Sequence, residues 1–389
     1  MFFPHASRSG GGIGAGYRYS HDGLSAAKLN LPKQKPSFAG ILPVKEGFLM
    51  LKRILAVILA LVSALMLTAC AGRAQGAPVP EITPEKTQLK AETVQWPADK
   101  LALNNEGIPE LRVYVTEENA VQTMNIERYT EGVLAGEMKN DWPLEALKAQ
   151  AILARTFVLK FVQDKESKYP EADISTDIEE AQAYSEADVN DRIRQAVLET
   201  RGMVLSSNGG LPYAWFHAHS GGATDLATVG LGWNEAEPSY TQCTQGNEPE
   251  SIPGSDAQTL REAQKWITEI PLETLESALT DLGQDITINE SSTVSIGQRG
   301  DSGRAVTLLI DDHEVNAAAL RIAIGSTKMR STLLSTLNIR AGTLRISGRG
   351  YGHGVGMSQW GAYGMAQAGK TAEEIVTHYF RNVTLEKLW

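Results

Sequence analysis

One stretch, residues 125–162 (NIERYTEGVLAGEMKNDWPLEALKAQAILARTFVLKFV), restricts the fold more than any other part of the chain. Its apolar residues recur at helical rather than strand spacing. Over 127–138, Tyr129, Val133, Leu134 and Met138 line one side of a helix. The polar run Lys139-Asn140-Asp141 breaks that period, and Asp141 with Pro143 signals a new helix, Asp141 as N-cap and Pro143 in the first helical position. In the second helix Leu144, Leu147, Ala151, Ala154 and Val158 form the inner stripe. Lys148 and Arg155, seven apart, share a neighbouring face. The pattern predicts two packed helices joined by a short elbow.

The elbow carries one carboxylate of interest. Glu137 lies between Gly136 and Met138, at the close of an apolar helix and directly before a turn that opens toward a cleft. A carboxyl kept from water there is suited to general-acid work. The competing reading is a solvated Glu near a helix end, and residue pattern alone leaves both open.

The stretch resembles the stage II sporulation protein D (SpoIID/LytB) family, whose members share the pattern EYV-x-G-V-x-x-x-E-M followed by EALKAQA-x-x-AR-T. The matching residues here are Glu127, Tyr129, Gly132, Val133, Glu137, Met138, then 145–151, Ala154, Arg155 and Thr156. In that family the Glu before Met is the catalytic acid of a lytic transglycosylase acting on peptidoglycan glycan strands, and the matching Lys and Arg line the substrate groove. The resemblance implies those roles for Glu137, Lys148 and Arg155. Some relatives bind a metal ion with Cys and His residues of the next connection. Here Ser175, Thr176, Glu180 and Ala181 stand instead, so no metal and no cofactor is carried over, while Gln182-x-Tyr184 keeps the family pattern.

Upstream, residues 1–49 show no sustained period and read as an unstructured or non-native extension before a start at Met50. Residues 50–69 have the anatomy of a signal peptide, with Lys52 and Arg53, an apolar run, then Leu67-Thr68-Ala69-Cys70. That tetrapeptide resembles a bacterial lipobox, which makes Cys70 the lipidation site and the membrane a partner through a lipid anchor. A plain membrane anchor is the alternative, although about sixteen uncharged residues are short for a span. Residues 70–109, rich in Ala, Pro, Glu and Lys, read as a tether. The net charge is −10, and the basic excess is confined to the first 69 residues, so nucleic acid is excluded as a partner. With Cys70 lipidated, Cys243 is left without a partner and reads as a small buried side chain.

The folded part is expected over 110–389. Residues 111–115 read as a strand, 190–200 as a helix closed by Gly202, and 203–205 as a strand turning at Asn208-Gly209-Gly210 into a return strand over 213–219. His217 and His219 then share a face, beside Ser220-Gly221-Gly222-Ala223-Thr224, which matches the family's SGG segment. The His pair with Cys243 has the chemistry of a zinc site, but no fourth ligand has a recognisable spacing, so substrate contact or scaffold hydrogen bonding is the other reading. Residues 255–285 read as amphipathic helices of a peripheral lobe, anchored by Leu260, Trp266, Ile267 and Ile270. Strands are expected over 293–296, 305–310 and 314–316, a helix over 317–324, and a strand into Asn338.

Residues 348–362, GRGYGHGVGMSQWGA, fit the family's GHGVGMSQWGA signature. The resemblance brings His353, Ser358, Gln359 and Trp360 toward the substrate cleft; Tyr351, His219 and Ser220 are further candidate substrate contacts, and Trp215, Trp360 or Tyr351 are candidate stacking partners for sugar rings. Tight packing of the glycines is the alternative. A hydrolytic glycosidase needs two carboxylates, and only Glu137 stands out. A lytic transglycosylase needs one, because the C6 hydroxyl of the muramyl sugar attacks C1 and leaves a 1,6-anhydro-MurNAc end. The expected fold is α+β, with antiparallel sheets, helices packed to one side and the helix-elbow-helix lining a groove. The expected activity is cleavage between MurNAc and GlcNAc; the alternative is a glycan binder that stimulates a cell-wall amidase.

Overall fold

In a computed structural model, residues 94–254 and 256–389 are described. The residues read as a signal peptide, Cys70 and most of the expected tether lie outside them. Part of the expected tether does not: Val94, Leu101 and Ile108 are buried in the same apolar cluster as Leu111 and Val113, and Lys100 Nζ donates at 2.9 Å to the carbonyls of Val162 and Gln163. The folded domain therefore begins earlier than residue 110. Its first residues show no period because they contribute single anchors, not a repeating face.

The first sheet pairs β1 (Glu110–Val115) antiparallel with β2 (Ala120–Asn125) and parallel with β3 (Ile174–Ser175). Helix α1 (Ile126–Glu137) starts where Asn125 caps it, its side chain accepting the Arg128 N–H. After the elbow, α2 (Leu144–Asp164) begins one residue later than expected, with Pro143 as N-cap and no side-chain cap. This 21-residue helix is the axis of the domain. Leu147, Ile152 and Leu153 face one cluster, Ala154, Val158 and Leu159 another. Full burial of one such Leu or Ile stabilises by about 1.5–3 kcal/mol, which is why small Ala residues alternate with them and let neighbours approach from both sides.

Helix α3 (Asp191–Glu199) packs on α1 and α2 and leads to β4 (Met203–Ser206). The turn at Asn208-Gly209 forms, with both φ positive and Ser207 and Gly210 exchanging hydrogen bonds, but the expected hairpin does not. Pro212 lacks a ladder N–H, and the chain peels away. Strand β4 pairs antiparallel with β13 (Thr384–Lys387) at the other end of the sequence, and only β5 (Phe216–His217) remains of the return strand, parallel to β12 (Met357–Ser358). A short helix, α4 (Ala227–Gly230), follows.

The peripheral lobe extends further than the sequence indicates. Between α5 (Ala257–Gln264) and α6 (Leu272–Asp281) runs β6 (Trp266–Pro271), not helix. Trp266 and Ile270, four apart, satisfy both the helical and the strand period, and the β-branched Ile267 and Thr268 between them favour the strand. The lobe continues through β7 (Val294–Ile296), β8 (Thr307–Ile310), β9 (His313–Asn316), α7 (Ala317–Ile324), β10 (Leu334–Arg340) and β11 (Thr343–Gly348), with β6 antiparallel to β11, around its own apolar cluster. Helix α7 closes at Gly325, as its pattern predicts. Two last helices complete the domain: α8 (Gln359–Gln367), and α9 (Ala372–Tyr379) with the Thr371–Glu374 capping box. The architecture is α+β, with small, mostly antiparallel sheets.

Candidate active site

Glu137 is the last residue of α1, and its side chain turns inward, 1% exposed. Oε1 accepts the Ala183 N–H at 2.8 Å. The Gln359 amide donates to the Glu137 main-chain oxygen at 3.2 Å and lies 3.4 Å from Oε2. The carboxylate thus joins three segments: the elbow, the connection after α2, and the start of α8.

Two glycines make this possible. A Cβ on Gly136 would lie 2.6 Å from the Tyr184 nitrogen, and one on Gly132 would lie 2.2 Å from the Tyr184 ring. The bare helix face is a trough in which residues 183–185 lie, and the Ser185 N–H donates to the Gly132 carbonyl at 2.9 Å. The Gly132-x-x-x-Gly136 spacing beside Gln182-x-Tyr184 was the signal for this contact. The connection is fixed further by Glu180, which accepts from Ser167 Oγ and the Lys168 N–H, and by Asp177, which accepts from Tyr169 at 2.7 Å and pairs with Lys168 Nζ at 2.7 Å.

Ser358 and Gln359 point to different carboxylates. Ser358 caps α8 and donates to Glu248 Oε1 at 2.7 Å, while the Ser220 N–H donates to the same oxygen at 2.6 Å. Burial alone would raise the Glu248 pKa, but His219 and the Ser220 and Ser358 donors outweigh it and hold the group below the usual carboxylate range. His219 Nδ1 is 3.6 Å from Glu248, yet it accepts the Gly221 N–H at 2.9 Å. Burial, with Arg304, lowers the His219 pKa against the opposing pull of Glu248. Glu248 was missed from sequence because it stands in a loop with no period.

Behind this lies a polar core. Arg304, fully buried, donates to the carbonyls of Ser220 and Ala223 and to Ser302 Oγ, and burial lowers its pKa to about 10. Its guanidinium lies against Gly354, where a Cβ would be 2.2 Å from Cζ. The Ser302-Gly303-Arg304 turn, the SGG segment and the GHGVG segment are thus one packed unit. His217 and His353 are 5.6 Å apart, ring to ring. Burial, then His353 and Arg304, push His217 well below its ordinary value, and burial, then Arg321 and Arg304, bring His353 to about 3. Tyr351 exchanges main-chain hydrogen bonds with His219, and Arg330 covers its ring at 5.4 Å.

Several expected site residues take other positions. Arg155 is fully buried with Nη2 2.6 Å from Glu127, so it is a strut inside the domain and not a lining of the groove. Lys148 shares its side of α2 but pairs with Glu145 at 2.7 Å and Glu199 at 3.3 Å. Trp360 is fully buried, its ring 4.5 Å from that of Trp142, and presents no face to a sugar. Ser220, Ser358 and Gln359 are buried, whereas Tyr351 and His353 keep partial exposure. Cys243 is exposed, contrary to expectation. Among the described residues no three His, Cys, Asp or Glu side chains are placed to hold a metal ion. On its outer side the elbow borders a polar cavity of about 360 Å³ lined by Asp141, Trp142, Arg192, Asp256 and Tyr363.

Residues 114–206, which include Glu137 and Ala183, match the stage II sporulation protein (SpoIID) family, and residues 251–356 match a domain of unknown function (DUF8618). An uncharacterized protein of Brachyspira hyodysenteriae is 32% identical over 272 residues, covering 68% of this chain and 67% of that one. The chain belongs to the SpoIID family. Within this family, stage II sporulation protein D of Bacillus subtilis is 26% identical over 325 residues, 78% of this chain and 85% of that protein. An amidase enhancer of the same organism is 26% identical over 292 residues, 66% of this chain but 40% of its own length. The SpoIID match ends at β4, so Gln359 reaches Glu137 from outside it.

Proposed function

We propose that this SpoIID-family chain acts at the cell wall as a peptidoglycan lytic transglycosylase, with Glu137 as the one carboxyl group that acts twice. The observation that carries the reading is the placement of Glu137: an inward carboxyl at a helix end, held by the Ala183 N–H and faced by the Gln359 amide. Glu137 gives its proton to the glycosidic oxygen as the bond from C1 of MurNAc to the GlcNAc oxygen breaks. The C6 hydroxyl of the same MurNAc forms the new bond to C1 and returns its proton to the carboxylate. No water is consumed, so no second carboxylate is needed to activate one. To reach a sugar oxygen, the Gln359 amide turns off Oε2, a contact already long at 3.4 Å.

Extracytoplasmic placement, with Cys70 as lipid attachment point, belongs to the same reading; among the described residues no helix is long and apolar enough to cross a membrane. Mass spectrometry of products from peptide-stripped sacculi tests the activity. Anhydro-MurNAc ends are expected. Reducing ends would make the enzyme a hydrolase. Intact strands that are bound but uncut would favour the second reading, a glycan-binding partner of a cell-wall amidase, which the likeness to the amidase enhancer supports.

A further inference from the structure

Trp215, one of the stacking candidates in the sequence, belongs to a group of four aromatic rings outside the Glu137 site. Tyr213 and Trp215 stack at 5.2 Å and 17°, and Trp233 meets Tyr213 tilted at 5.5 Å and Trp215 edge-on at 5.4 Å. Tyr240 stands 6.2 Å from Trp215. All four are half-buried. Rings that served only packing would be closed over on both sides, as Trp142 and Trp360 are.

The surface is preset. Tyr240 Oη accepts the Tyr213 N–H at 3.0 Å, and Tyr213 Oη donates to Asp164 at 2.7 Å. The loop bearing Trp233 is held because the Glu237 carboxylate accepts the Ala227 and Thr228 N–H groups at 2.8 and 2.9 Å, at the start of α4. Both Tyr hydroxyls are already engaged, and Tyr213 is stacked on Trp215 with Lys160 Nζ over its ring at 5.1 Å and 3.0 Å from Asp164, so Tyr213 braces the aromatic surface of Trp215, Trp233 and Tyr240 beside a charged pair. Rigid aromatic faces beside a paired donor and acceptor match a pyranose, whose C–H face is apolar and whose edge carries hydroxyls. The acidic chain and the carboxylate at the rim disfavour a nucleobase.

The surface is also tied to the proposed site through the main chain: the Trp215 carbonyl accepts the Met357 N–H at 3.1 Å and the Ala218 carbonyl accepts the Trp360 N–H at 3.0 Å, so the segment bearing Trp215 pairs with the residues that lead into α8 and Gln359.

We infer that Trp215, Trp233 and Tyr240, braced by Tyr213, form a stacking subsite for a pyranose of the glycan strand, remote from the scissile bond and holding the strand while Glu137 acts. The inference rests on the glycan-strand reading of the site. Its test is binding without cleavage, in the Glu137→Gln background, read by sedimentation with peptide-stripped sacculi and by tryptophan fluorescence on titration with a soluble β-1,4-linked N-acetylglucosamine oligomer. Trp233→Ala and Trp215→Ala are expected to weaken binding about tenfold or more, and Trp233→Phe, which keeps a ring, to restore most of it. Circular dichroism and the unfolding midpoint confirm that each variant is folded. Unchanged affinity in both Ala variants would overturn the subsite and leave the Glu137 reading standing. Failure of the parent protein to bind any glycan would overturn both. Quenching by a proline-rich peptide, with none by the oligomer, would overturn it in favour of a protein ligand.

Discussion

Arg155 holds its charge inside the protein at zero exposure, and Glu127 makes that tolerable. One Glu127 oxygen takes Nη2 at 2.6 Å and Nε at 3.2 Å, while the other accepts the Gly202 N–H and the Trp389 indole N–H. The Met203 carbonyl accepts from Nη1 at 2.9 Å. Removing one partner of a buried pair leaves the other charge without compensation, at a cost of about 3–5 kcal/mol. Arg155→Ala is therefore expected to lower stability by that order, measured by chemical denaturation. A variant of parental stability that had lost only substrate affinity would return Arg155 to the groove. The position of Arg155 on α2 was legible from its spacing, but its partner was not, because Glu127 lies 28 residues upstream on a helix whose orientation packing decides. Trp360 was misread for the same reason: a glycine-rich signature marks a close approach without saying which side chains it covers.

Among the elements, the meeting of α1 with residues 183–185 sets the site. A methyl group on Gly136 meets main-chain atoms of Ala183 and Tyr184 within 2.8 Å, and no side-chain rotation relieves that contact. The segment has to move off the helix and take the Ala183 N–H away from Glu137. Gly136→Ala is expected to cost about 1–3 kcal/mol of stability, as overpacking does, and to depress cleavage well beyond the unfolded fraction. Parental activity in that variant would show that the Ala183 contact is dispensable. Helices were the legible elements here: α7 ends at Gly325 and α9 begins at its Thr371–Glu374 capping box, as their sequences indicate. Strands were less so, since β4 finds its partner in the last residues of the chain and β6 shares its spacing with a helix.

At the scale of the whole molecule, distant segments converge on buried and half-buried groups that titrate. His217 and His353 are neutral in the folded protein, while in the unfolded chain each takes a proton near pH 6.5. Unfolding therefore binds protons in acid, so their contribution is full above about pH 6.5 and is lost as the pH falls toward about 3, the folded value of His353. Glu248, lowered in the fold, acts in the same direction at the acid end of that window. The urea midpoint is expected to fall steadily from pH 7 to pH 4, and a flat profile would show these groups to be solvated. The same convergence brings Gln359 to Glu137 across 222 residues of sequence, and on it the functional account stands. Glu137→Gln keeps the shape and an acceptor for the Ala183 N–H but has no proton to give. The account predicts that this variant folds with the parental unfolding midpoint and releases anhydro-MurNAc ends from peptide-stripped sacculi at least about a hundredfold more slowly. Release at the parental rate would contradict it.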